Sequence, residues 1–150
     1  MRVYRGCMFP EGLLYDVEQD VWVARAADGI ATLGMTDPAQ TRCGKFVSIR
    51  FKGVGRTVPK GKAYATIESA KWVGPFPAVI SGEIVETNET TFRRDILIAN
   101  REPYDTGWMV KVRPVQWEAE SGHLLDAERA FAAYQQKIEE WKINCMRCAD

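Results

Sequence analysis

The chain has 150 residues, 46% hydrophobic and 27% charged, with 20 lysines and arginines balanced by 20 aspartates and glutamates. That length supports one core, too small for two domains. Zero net charge with no long run of one sign argues against a nucleic-acid or anionic-membrane partner, and no stretch reaches the ~18 apolar residues of a spanning helix.

Near the N-terminus Arg2 and Arg5 are followed by Pro10-Glu11 before any apolar run long enough for a signal peptide, so a cytoplasmic protein is expected. Residues 21–24 and 30–35 read as strands joined by the Asp28-Gly29 hairpin turn. Thr36-Asp37 ahead of Pro38 has the chemistry of a helix cap with proline in the first turn, giving a short helix over 38–43 closed by Gly44. Residues 46–51 form the next strand, ended by Gly53-Val54-Gly55.

In residues 63–68, Ala63, Ala65 and Ile67 alternate with Tyr64, Thr66 and Glu68, the period of a half-buried strand. A second run begins at Trp72-Val73, is broken by Gly74, Pro75 and Pro77, and resumes to the Ser81-Gly82 turn. Between the two runs Glu68-Ser69-Ala70-Lys71 forms a tight reversal with one ammonium at its tip. Such an amine is either a solvated charge or a point to which an enzyme can join a carrier cofactor. A strand over 83–86, an irregular or one-turn helical piece over 92–98 and a strand over 108–112 complete the pattern. Many short strands with glycine turns suggest a small closed or sandwiched barrel.

The end of the chain changes style. Leu124, Ala127, Phe131, Tyr134, Ile138, Trp141, Cys145 and Cys148 recur at alternating spacings of three and four, one apolar stripe on a single helix. Packing on its own domain is favoured over a coiled-coil seam, because the stripe is short and rich in mixed aromatics. The organisation expected is a single domain over 1–150, with a core of about 13–114 and a C-terminal helical extension of about 115–150.

Several motifs together resemble the H proteins of the glycine cleavage system, which are relatives of the lipoyl and biotinyl domains. They are Val21-Trp22-Val23, Gly29 to Asp37, Ala39-Gln40 with Gly44, Glu68-Ser69-Ala70-Lys71, Ser81 to Asn88, and Pro103 to Met109. The resemblance implies a mainly β barrel-sandwich hybrid with a short internal helix and a C-terminal helix packed on the barrel. It also implies covalent lipoate on Lys71, with Glu68, Ser69 and Trp72 around the arm. A biotinyl domain would flank its lysine with methionines; here the flanks are Ala70 and Trp72. Such a protein is a cofactor carrier rather than an enzyme, and neither an acid, a base nor a metal is required of it.

H proteins hold an aminomethyl group on the arm and shelter its amine with polar side chains. This chain departs from that pattern: Val21 stands where the family usually has Glu, and Pro38 where it usually has His. A protonated amine loses acceptors by those exchanges, so an uncharged or anionic sulfur cargo is expected to suit the surface better. Trp72-Val73-Gly74-Pro75, Gly6-Cys7 with Pro10 to Tyr15, and Ile143 to Cys148 resemble the H-protein-like lipoate-binding proteins of the sulfur-oxidising heterodisulfide-reductase-like system. That second resemblance implies a carrier of sulfur-bound intermediates or reducing equivalents in cytoplasmic sulfur oxidation. Its partners would be the iron–sulfur and flavin complex of that system, lipoate-attachment enzymes and dihydrolipoyl dehydrogenase. A glycine cleavage H protein carrying an aminomethyl group is the alternative, and a monomer is expected in either case.

Cys7, Cys43, Cys145 and Cys148 are too few and too unevenly placed for a secreted disulfide framework, so thiols are expected in a reducing compartment. Cys145-x-x-Cys148 lies at a helix C-terminus, where the dipole disfavours a thiolate. Buried small hydrophobes are therefore favoured for this pair. The alternatives are redox thiols forming a disulfide, with Cys7 or with each other, and a zinc site using all four cysteines. His123, the only histidine, reads as a cap or surface residue, and Trp22, Trp108, Trp117 and Trp141 as packing residues. Trp72 is the exception, a candidate wall for the arm or docking contact.

Overall fold

The computed structural model describes residues 1–147, and these form antiparallel sheets with short helices between them. In chain order the elements begin with β1 (Arg2–Tyr4), β2 (Cys7–Phe9), β3 (Leu14–Asp16), β4 (Val21–Arg25), β5 (Ala31–Met35) and α1 (Asp37–Cys43). The middle holds β6 (Phe46–Phe51), β7 (Thr57–Val58), β8 (Ala63–Ser69), β9 (Val73–Pro77) and β10 (Gly82–Thr87). Then come α2 (Glu89–Arg94), α3 (Ile98–Arg101), β11 (Val110–Pro114), α4 (Trp117–Glu120), a single 3-10 turn at Ser121–His123, and α5 (Ala127–Trp141).

Six strands pair in the order β3-β4-β5-β11-β10-β7, and three more in the order β6-β8-β9. Val23, Leu33, Ile84 and Val112 of the larger sheet share one core with Tyr64, Ile67 and Phe76 of the smaller, each at most 1% exposed. Full burial of each such side chain contributes roughly 1.5–3 kcal/mol, which fixes the face each strand turns inward. Strand β8 breaks strict alternation: Tyr64 and Ala65 are both buried because the pairing with β9 shifts register between Ala63 and Ala65. The Tyr64 hydroxyl is satisfied there by donating to the Ile80 carbonyl at 2.7 Å. This is the mainly β barrel-sandwich architecture expected.

Helix α1 forms as its capping chemistry dictates. The Thr36 hydroxyl accepts from the Ala39 amide, Pro38 sits in the first turn, and Gly44 closes the helix at φ 83°. Helix α5 is shorter than the apolar stripe. Lys142 takes a left-handed conformation at φ 56° and its amide reaches back to the Glu139 carbonyl, ending the helix after Trp141. Leu124 precedes the helix, and Cys145 lies beyond it.

The cysteine expectation is corrected in consequence. Past α5 the chain runs beside the N-terminal hairpin, with the Cys145 amide donating to the Arg5 carbonyl at 2.9 Å, and Cys7 and Cys145 form a disulfide. Neither is a free thiol, and a zinc site needing all four cysteines is ruled out by the pairing. No metal-binding cluster of His, Cys, Asp and Glu occurs among the described residues. Cys148 lies outside the described residues.

Helix α5 packs on the barrel through Ala127, Ala130, Tyr134 and Ile138, which join Cys7, Phe9, Tyr15 and Trp22 in a second apolar cluster. Phe9 stacks on Tyr134 with ring centroids 4.9 Å apart. The β1–β2 hairpin that completes this cluster was not expected from the sequence. His123 donates to or accepts from Asp16 at 2.9 Å and takes no part in the groove described next. No helix among the described residues is long and apolar enough to cross a membrane.

Candidate functional site

Lys71 is the middle of the three residues between β8 and β9, a turn closed by the Ser69 amide donating to the Trp72 carbonyl at 2.8 Å. One buried hydroxyl holds the whole tip. Ser69 Oγ accepts from the amides of Lys71 at 3.2 Å and Trp72 at 3.1 Å, and donates to the Cys43 carbonyl at the end of α1. The Ala70 amide adds a bond to the Lys45 carbonyl at 2.9 Å. A turn usually frays because its amides are solvated; here it is nailed to a helix terminus.

The Lys71 side chain is exposed, and its aliphatic stem crosses Gly44. A Cβ at Gly44 would stand 3.0 Å from Lys71 Cε, and the φ of 83° already requires glycine. Trp72 is 41% exposed and packs against Gly74, where a Cβ would come within 2.1 Å of the indole. Trp72 and Lys71 line the same groove.

A groove of about 450 Å³ opens beside these two residues, with Val21, Met35, Ile67 and Phe76 among its apolar walls. That volume is within the range of small-molecule sites. Its other charged linings, besides Lys71, are Glu18, Asp20 and Arg42. Asp20 ends the β3–β4 turn in a left-handed conformation at φ 60°, which a short polar side chain tolerates. Its carbonyl accepts from the Thr36 amide at 3.1 Å, its Oδ1 accepts from the Tyr134 hydroxyl at 2.7 Å, and its Oδ2 lies 3.5 Å from Arg42 Nη1. Burial pushes the Asp20 carboxyl above its ordinary range, with the Tyr134 hydroxyl and the Arg42 guanidinium pulling partly back. Arg42 stacks on Trp141, 3.7 Å from the ring centroid. Cys43 also lines the groove; burial raises its thiol and makes it a poor nucleophile.

Of the residues expected around the arm, Lys71, Ser69 and Trp72 come together. Glu68 does not: it is exposed, accepts from Ser48 Oγ at 3.2 Å on the outer face of the smaller sheet, and is absent from the groove lining. Alternation explains this, because Glu68 points opposite to the buried Ile67 and Ser69. Val21 lines the groove as apolar surface, while Pro38 is buried in the first turn of α1. Val21 and Pro38 supply no acceptor, but Glu18 and Asp20, which the sequence reading did not single out, bring two carboxylates to the groove. Of the groove residues missed, Arg42 was legible in principle, because Ala39, Arg42 and Cys43 share one helical face. The turn holding Glu18 and Asp20 carried no such signal.

Residues 13–138 match the glycine cleavage H-protein family. Glycine cleavage system H protein 3 of Aquifex aeolicus is 45% identical over 148 residues, 97% of this chain and 91% of that one. Probable glycine cleavage system H protein 2 of Sulfolobus acidocaldarius is 39% identical over 149 residues, 98% of this chain and 99% of that one. The crystal structure of a glycine cleavage system H protein from Mycobacterium marinum superposes with a TM-score of 0.72 at 30% identity, covering 84% of this chain and 98% of that one.

Proposed function

The chain belongs to the glycine cleavage H-protein family, and from that premise we propose that Lys71 is its lipoyl-bearing lysine and that the arm carries an aminomethyl group in a glycine cleavage system. Proteins of this family are lipoyl carriers rather than enzymes, hold lipoate covalently on a lysine, and work with lipoate-attachment enzymes and dihydrolipoyl dehydrogenase. The observation that carries the proposal for this chain is the exposed Lys71 amine on a turn fixed by Ser69. Bound lipoate supplies a dithiolane that opens to a dithiol, able to hold a group on sulfur or to give up two electrons. The residues of the chain do the rest. Ser69 presents the amine, Gly44 leaves room for its stem, Val21, Met35, Ile67 and Phe76 offer the arm a surface poor in water, and Glu18 and Asp20 offer acceptors to an amine. A cytoplasmic location fits this role.

A second reading keeps the arm and changes the cargo to sulfur, with a heterodisulfide-reductase-like iron–sulfur and flavin complex as partner. It is favoured by Val21 and Pro38 in place of the usual Glu and His. It is favoured also by the Cys7–Cys145 disulfide, both of whose ends lie outside the family match at 13–138. The named relatives favour the first reading; the sulfur reading rests on these residues alone.

Intact mass is the first test. Protein from its native host gains the lipoyl increment, and Lys71→Arg lacks it; wild-type protein that never gains it defeats both readings. Transfer of an aminomethyl group from a glycine decarboxylase to the loaded protein then supports the first reading. Failure of that transfer, with sulfur oxidation lost in cells whose only copy is Lys71→Arg, turns the assignment to the second.

A further inference from the structure

An open strand edge is a pairing site, because it exposes a row of unmet amides and carbonyls. Of the edges of the two larger sheets, three are closed or cut short. Strand β9 carries Pro75 and Pro77, which have no amide to donate. On β3, Tyr15 exchanges backbone bonds of 2.8 and 2.9 Å with Leu125. Strand β7 is only two residues long. The remaining edge is β6, six residues without a proline, paired to β8 alone.

The register fixes which groups this edge presents. The Lys52 amide donates to the Tyr64 carbonyl at 2.9 Å, so the pairs Arg50–Thr66 and Ser48–Glu68 are the bonded ones. The amides and carbonyls of Ile49 and Phe51 therefore face away from β8. A cleft of about 420 Å³ opens between β6 and α2, with Val47, Ile49, Phe92 and Ile96 as its apolar walls. Val47 is 56% exposed, a large apolar side chain left to solvent. An edge beside an apolar cleft can take an extended peptide as an added strand, alternate side chains dropping into the cleft.

Charge selects the peptide. In the cleft Glu89 is taken up by Arg93, while Arg94 has no carboxylate partner among the described residues. Arg50, exposed on the outer face of β6, has none among them either. A second copy paired edge to edge would bring the same unpaired guanidiniums to the seam and is disfavoured by repulsion. An acidic strand meets them favourably. We propose that the β6 edge docks an extended segment of a partner protein in which apolar and acidic residues alternate, the segment adding a fourth strand to the smaller sheet. Its apolar side chains enter the cleft toward Phe92 and Ile96, and its acidic ones meet Arg50 and Arg94. The groove beside Lys71 lies by β9, at the opposite edge of this sheet, so a docked strand leaves it open. Docking here goes beyond the carrier role and does not depend on what the arm holds.

Peptide selection tests this. Random linear octapeptides displayed on phage are selected on the full chain. The enriched sequences are expected to alternate β-branched or aromatic residues with Asp or Glu. A synthetic copy of the commonest is expected to slow amide exchange at Ile49 and Phe51, read by NMR. N-methylation of one set of alternate residues in that peptide is expected to weaken binding about tenfold, and of the other set hardly at all. Arg50→Glu and Arg94→Glu, both at exposed positions, are each expected to weaken it about fivefold. The pair of methylated peptides needs no substitution in the protein, and so decides even where a variant melts early. No enrichment of alternating acidic sequences, free exchange at Ile49 and Phe51 in the complex, or equal binding of the two methylated peptides overturns the proposal. Protection of those amides that grows with protein concentration alone assigns the edge to a second copy and overturns it too. The lipoyl mass on Lys71 is untouched by any of these outcomes.

Discussion

Asp20 costs the fold something when it is charged. Burial raises its carboxyl above the unfolded value of about 3.9, so between those two values the folded state binds more protons than the unfolded one. The stability this group contributes is therefore complete below the unfolded value, and is lost as pH rises through the raised folded one. Asp20→Asn cannot titrate. It is expected to melt at or above wild type at neutral pH, and wild type is expected to gain on it as the pH falls through the folded value. Melting curves of both proteins from pH 4 to 8 check the sign. A difference that stays flat across the range would show that Tyr134, Arg42 and Lys137 together offset the desolvation and the nearby Asp16. A fold that keeps a carboxylate under these conditions at the edge of a groove has kept it at the expense of stability, as binding sites commonly do.

The unit that presents Lys71 is an element pair, the β8–β9 turn and the end of α1, and Ser69 is the joint between them. Ser69→Ala leaves the Cys43 carbonyl and the amides of Lys71 and Trp72 without the hydroxyl they share. The expected loss is about 1–3 kcal/mol of unfolding free energy, with faster hydrogen exchange at Lys71 and Trp72; denaturant titration and exchange mass spectrometry read the two effects. Unchanged exchange at those amides would mean that the Ser69–Trp72 backbone bond suffices. Each element of this pair was legible alone, α1 from Thr36, Pro38 and Gly44, and the turn from alternation ending at Lys71. Their contact was not, because Ser69 and Cys43 are 26 residues apart and nothing local encodes a hydroxyl meeting a particular carbonyl. The same limit explains Glu68 and Asp20. Period-two alternation puts Glu68 on the outer face, yet its place beside the lysine in the motif drew it into the site. Asp20 sits in an irregular turn, where neither period applies.

At the scale of the whole molecule, both ends of the chain converge on α1. The buried Asp37 carboxylate accepts from the Met8 amide at 2.9 Å and from Gln40 Nε2 at 2.8 Å, and it pairs with Arg147. Gln40 also donates to the Met146 carbonyl at 2.8 Å, and the Cys7–Cys145 disulfide closes a span of 138 residues over these contacts. The stripe of apolar residues predicted a helix packed on the barrel but overran its end, because spacing alone cannot show that Lys142 turns left-handed and sends Cys145 to the N-terminal hairpin. Closing so long a loop removes much of the entropy of the unfolded chain, so Cys145→Ser is expected to lower unfolding free energy by about 2–5 kcal/mol. Urea unfolding of the oxidised protein, the reduced protein and Cys145→Ser distinguishes the sources of that loss. If the covalent link dominates, the reduced protein and Cys145→Ser unfold together, well below the oxidised form. If the packing of α5 dominates, all three coincide and the disulfide is incidental to stability. The first outcome is expected, since Cys7 is fully buried and the link closes a span of 138 residues. Because α5 also carries Tyr134 and Trp141, loosening this closure should reach the groove as well: faster exchange in α5 on reduction, with the amides of Lys71 and Trp72 still protected by Ser69, is the pattern that separates the helix from the turn.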